Sequence, residues 1–107
     1  MADEELNKVD WGELEKLYLE QKSGYLYVVE CNGYYKIGHT TELENRMAEL
    51  QVGNPHELKV ICAKKLLEPR ELETALHGLY ERKKVRGEWY KLAKEDVKYL
   101  KNLCENA

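Results

Sequence analysis

Residues 24–40 read GYLYVVECNGYYKIGHT, and the rest of the chain is best read outward from them. Asn32-Gly33 sits between two runs of β-branched and aromatic residues. That arrangement predicts a two-residue type I′ turn, whose central positions both need a positive φ. Strands are expected over 25–31 and 34–38. The turn sets the register: Cys31 faces Tyr34, Val29 faces Lys36 and Tyr27 faces Gly38. Alternation then places Tyr25, Tyr27, Val29, Tyr34 and Lys36 on one face, and Leu26, Val28, Tyr35 and Ile37 on the other, the better core face. Tyr27 and Lys36 become diagonal neighbours, and Gly38 is expected to leave open space above the tyrosine hydroxyl. A tyrosine-rich edge with a snorkelling lysine is an ordinary packing arrangement. The hairpin alone therefore does not separate packing from chemistry.

Outside the hairpin, Asp10 and Glu13 have capping-box spacing ahead of Leu14, Leu17 and Tyr18, which predicts a helix over 11–22. Thr41 with Glu44 has the same spacing and opens a helix to about residue 51. Gly53-Asn54-Pro55 breaks the chain, and ELKVICAKKLL (57–67) has the β-branched core of a third strand. Pro69 suits the first turn of a helix reaching residue 83, with Leu72, Ala75, Leu76, Leu79 and Tyr80 as its apolar face. Arg86-Gly87 is a turn, 88–92 is extended, and 94–105 is a helix on Val97, Leu100 and Leu103. The pattern is α+β: a small antiparallel or mixed three-stranded sheet flanked by helices.

The chain has 107 residues, room for one domain with a modest core. Residues 1–23 read as an acidic N-terminal helical arm and 24–107 as the domain proper. Net charge is −3, but it is unevenly spread. Residues 1–30 hold eight acids and three bases, whereas 31–107 hold twelve acids and fourteen bases. The domain can thus meet a phosphate backbone through a local patch, although tight non-specific DNA binding is not expected from charge. The best such patch is Arg82, Lys83, Lys84 and Arg86, which otherwise reads as a solvated helix end. Cys31, Cys62 and Cys104 are isolated, odd in number and lack CxxC spacing, so reduced thiols are expected rather than a disulfide framework. No apolar run approaches the length of a membrane span and no leader is visible, so a soluble, cytoplasmic, unexported chain is expected.

Two residues outside the hairpin point to chemistry. Arg46 falls on the apolar stripe of Leu43, Met47 and Leu50, where an arginine is expensive without a partner. Glu73 borders the apolar face of the 69–83 helix beside Leu76 and Tyr80, with His77 one turn on. Their plain readings are an arginine at the stripe margin and a surface glutamate. Tyr34 and Trp89 could stack on bases, with core burial the stronger expectation for Trp89.

Taken in order, these pieces resemble the GIY-YIG nuclease superfamily, in particular its small stand-alone branch of phage and meiosis-upregulated-gene-type proteins. Tyr25-Leu26-Tyr27 stands at the first motif and Lys36-Ile37-Gly38 at the second. Arg46 follows Gly38 by eight residues, Glu73 lies on the helix after the third strand, and Gly87-Glu88-Trp89-Tyr90 resembles the branch's G-E-W-F signature. Three positions depart from the pattern. Tyr25 and Leu26 replace a glycine and an isoleucine, Lys36 replaces a tyrosine, and Leu50 stands where many relatives carry His or Tyr. His39 and His77 are the candidates to cover that last role.

The resemblance implies a metal-dependent endonuclease acting on DNA. Tyr27, its phenol pKa depressed by Lys36, would act as general base or position water. Arg46 would hold the phosphoryl oxygens. Glu73 would hold one Mg²⁺ (or Mn²⁺), with no second acidic ligand standing out. Tyr25 and Gly38 would support the site. Two alternatives stay open: a catalytically silent DNA-binding module, and a protein-interaction regulator whose acidic arm mimics or repels nucleic acid. A further expectation is that the arm folds over the hairpin and occludes the site.

Overall fold

The computed structural model describes residues 10–106. Helix α1 (Trp11–Lys22) starts where expected, with Asp10 Oδ1 accepting from the Glu13 N–H at 3.1 Å. It buries none of its residues, and Trp11 is 63% exposed. The described part of the arm therefore does not occlude the hairpin; residues 1–9 lie outside the described region.

Strands β1 (Gly24–Cys31) and β2 (Tyr34–Thr40) form the hairpin in the expected register, Val29 opposite Lys36 and Tyr27 opposite Gly38. Asn32 and Gly33 take φ of 52° and 85°, as a type I′ turn needs. The Glu30 carboxylate accepts from the Gly33 N–H at 2.8 Å. Helix α2 (Leu43–Val52) follows, then β3 (Lys59–Leu66), which pairs antiparallel with β1 through a bulge at Val28/Val29. Helix α3 (Pro69–Leu79), a 3₁₀ turn (Glu81–Lys83), β4 (Lys84–Arg86), β5 (Trp89–Tyr90) and helix α4 (Lys94–Asn106) complete the chain.

The α+β class stands, but the sheet is wider than expected. It has five antiparallel strands in the order β3-β1-β2-β5-β4. The last two are three and two residues long, too short to show periodicity. They exist because β5 pairs with the free edge of β2, Trp89 opposite Lys36 and Tyr90 opposite Tyr35. Two helix boundaries also differ. Helix α2 is not opened by Thr41; Thr40 Oγ1 takes the Glu42 N–H at 3.1 Å and Glu42 is the N-cap. Helix α3 ends at Leu79, so the basic run lies on the 3₁₀ turn and an edge strand, not on a helix end.

The core lies on the expected face of the hairpin. Leu26, Val28 and Ile37 pack with Cys62, Leu76, Tyr80, Tyr90, Leu92 and Leu100. Cys62 on β3 and Cys104 on α4 are brought side by side, Cα–Cα 6.0 Å, within the reach of a disulfide, and Cys31 is buried apart from them. Cys62 and Cys104 are therefore neighbours in space, which corrects the reading of them as isolated. The two residues are 42 positions apart, and only the docking of α4 against β3 brings them together. Among the described residues no helix is long and apolar enough to cross a membrane.

Candidate active site

The second face of the hairpin is also covered, and the candidate site is there. Tyr27 is 1% exposed. Its ring lies across Gly38, where an added Cβ would stand 2.5 Å from the Tyr27 hydroxyl oxygen. The space expected above Gly38 is thus filled by the tyrosine itself. Arg46 on α2 donates from Nε to Tyr27 Oη at 3.3 Å, and from its terminal nitrogen to Glu49 at 3.2 Å. The partner that an arginine on an apolar stripe requires is this phenol. Leu43, Met47 and Leu50 are half-buried beside it, as the spacing predicts.

Burial pushes the Tyr27 phenol above its ordinary value of 10.0; Arg46 opposes the shift, while Glu88 and Glu73 add to it. The expectation that Lys36 depresses this pKa is therefore wrong in sign and in partner. Lys36, 9% exposed, is committed elsewhere. Its Nζ is 3.2 Å from Glu88 Oε2 and stands over the Trp89 ring, 5.5 Å from the centroid.

Glu73 is 7% exposed and lies on the buried stripe of α3 with Pro69 and Leu76, not at its border. Ala75 and Leu79, expected on the apolar face, are exposed. The stripe is rotated because Pro69, Glu73, Leu76 and Tyr80 repeat at three- and four-residue spacing, with the acid in their midst. A buried carboxylate is costly unless it is hydrogen-bonded or paired. Here the two histidines flank it. His39 Nδ1 contacts Glu73 Oε2, and His77 Nε2 is 3.6 Å from Glu73 Oε1. The His77 ring is also held at 2.8 Å from the Ile37 carbonyl, which accepts.

Glu88 was missed as a site residue by sequence reasoning. One ligand atom each from Glu73, His77 and Glu88 lie within 4.8 Å of one another. Glu88 belongs to the segment quoted above for its likeness to a signature, so the signal was present; only the pairing of β5 with β2 turns it toward Glu73. Two carboxylates and an imidazole form an oxygen-rich donor set that suits a hard divalent cation.

The remaining candidates are dispersed. Tyr25 is half-buried further along the same face, beside Leu43 and Asn45. Arg82, Lys84 and Arg86 are exposed. Lys83 is tied to the Asp96 carboxylate and stands over the Tyr80 ring. Trp89, expected in the core, is half-buried on the Lys36 face instead.

The sequence profile of the T5orf172 domain matches residues 24–105. The chain belongs to the T5orf172 domain family. That domain is associated with the GIY-YIG/HNH-like nuclease superfamily, which agrees with the resemblance drawn from the motifs. No curated protein and no solved structure matches the chain significantly. The T5orf172 match takes in every candidate residue named above and leaves α1 outside it.

Proposed function

We propose that this T5orf172 domain is a divalent-metal-dependent endonuclease that hydrolyses DNA phosphodiester bonds. The observation that carries the reading is a buried carboxylate, Glu73, whose charge is felt by a tyrosine–arginine pair from other elements. Nothing in packing a small core calls for that combination.

In this reading the Tyr27 oxygen, neutral at rest, positions the attacking water. Arg46, anchored on the same oxygen, places its guanidinium to neutralise phosphoryl oxygens as they gain charge. Lys36 supplies a second positive charge, steered by Glu88. Glu73, with Glu88 and His77 in reach, would hold Mg²⁺ or Mn²⁺. When bound, the cation supplies charge neutralisation on the scissile phosphate. Two carboxylates would offset the divalent cation, leaving Lys36 and Arg46 to face the phosphate. In this reading the described residues 10–23 of the acidic arm take no part in the site.

Nicking of supercoiled plasmid with Mg²⁺ or Mn²⁺ tests the proposal. Cleavage by the wild type, abolished by EDTA and by Glu73→Gln or Arg46→Ala, is expected. DNA binding without cleavage, unchanged in Glu73→Gln, means a silent binding module instead. No binding at low salt points to a protein partner.

A further inference from the structure

Beyond the reacting groups, the same sheet face carries a second feature. Register places Tyr34, Lys36 and Trp89 on one face, side by side across β2 and β5. Next to them opens a cleft of about 290 Å³ lined by Cys31, Tyr34, Asn54, His56, Arg86 and Trp89. Its surface is mostly apolar, yet its rim is cationic. Lys91 Nζ stands 5.1 Å from the Tyr34 ring centroid, and Arg86 on edge strand β4 closes one side. The Trp89 indole is shared, since it lines this cleft and also lies under the Lys36 ammonium. One aromatic ring thus borders both the cleft and Lys36, the cation read above as facing the phosphate.

We infer that this cleft is a subsite for an unpaired nucleobase next to the scissile phosphate, stacked on Trp89 and Tyr34. The inference rests on the nucleic-acid reading above and names its substrate class. Apolar walls with cations at the mouth suit a flat base carried on an anionic backbone better than they suit an apolar peptide, which has no use for the cations. A base inside a duplex has both faces stacked on its neighbours, so only an extruded, overhanging or single-stranded base can enter. The domain therefore selects branched, flapped or single-stranded DNA over blunt duplex.

The test uses the full chain with Trp11→Phe, which leaves Trp89 as the sole tryptophan; Trp11 is exposed, so the change is benign. The probes are a blunt hairpin duplex, the same hairpin with a short overhang, and a single strand, all with EDTA present to prevent cleavage. Overhang and single strand are expected to quench Trp89 fluorescence and to bind about tenfold or more tighter than the blunt hairpin, the usual effect of one aromatic–base stack. Tyr34→Ala and Trp89→Leu are expected to abolish that preference while keeping the salt dependence of binding, because stacking releases no counterions. Tyr34 is exposed at the strand end, so its variant reports even if Trp89→Leu does not fold. Equal affinity for all three probes, or a preference that survives Tyr34→Ala, overturns the inference while leaving the nuclease reading intact. No binding to any probe also overturns the inference, and the plasmid-nicking assay then decides the nuclease reading separately.

Discussion

The phenol of Tyr27 occupies the volume that a side chain on residue 38 would need. An added Cβ would meet its hydroxyl oxygen at 2.5 Å and its Cζ at 2.6 Å, on a ring that is itself buried and held by Arg46. Glycine at 38 is therefore a condition for placing Tyr27.

Gly38→Ala is predicted to displace the phenol and cost about 1–3 kcal/mol, the range for overpacking a rigid site. Alanine elsewhere in a strand would gain about 0.5–1 kcal/mol over glycine. Urea unfolding of Gly38→Ala, Tyr27→Leu and the double variant checks this. The two changes should be strongly non-additive. Additive losses would show that ring and glycine are independent.

Alkaline pH should destabilise the fold. Tyr27, Tyr80 and Tyr90 are each held above the ordinary 10.0, first of all by burial. The unfolded chain therefore releases these protons at lower pH than the native one. Their contribution to stability is complete below pH 10 and is lost as pH rises through the native pKa values. Unfolding free energies at pH 8, 10 and 11 are expected to fall mainly over the upper interval. Tyr27→Phe should shrink that fall, and an unchanged slope in this variant would remove Tyr27 from the account.

Lys36 depends on Glu88. Glu88→Gln leaves a buried ammonium with one charge partner fewer, and is predicted to cost about 1 kcal/mol, a modest figure because Glu88 is half exposed. Adding Lys36→Met should recover that loss, since removing both charges leaves neither unpaired. Thermal melts of the two single variants and the double decide it; a double variant less stable than Glu88→Gln would argue against the pair.

The basic run should divide by function. Lys84→Ala and Arg86→Ala are expected to weaken DNA binding and to lower the salt slope by about 0.9 per lost phosphate contact on duplex. Lys83→Ala should leave the slope alone and reduce stability, because Lys83 holds Asp96, whose carboxylate also accepts from the Ala93 N–H at 2.9 Å at the start of α4. Burial would raise the Asp96 pKa, but these hydrogen bonds overcome it and hold it below the ordinary 3.8. Its contribution is thus present above pH 4 and lost in stronger acid. A salt titration of each variant beside its melting curve separates the two groups.

Much of the scaffold is written locally. The Asn32-Gly33 turn needs positive φ at both positions, and that alone sets every cross-strand partner in the hairpin, including Tyr27 with Gly38 and Val29 with Lys36. The α1 cap and the stripe carrying Arg46 follow from spacing within one turn of helix. These features depend on residues a few positions apart, so the amino-acid order determined them by itself. Tertiary structure decided the rest. Burial of Glu73 amid the α3 stripe, the approach of Glu88, the two short strands and the Cys62–Cys104 pair all depend on which faces meet after the chain has closed over itself. The raised Tyr27 pKa has the same origin: its sign follows from burial outweighing the Arg46 contact, and burial is a property of the assembled sheet and helices rather than of any segment.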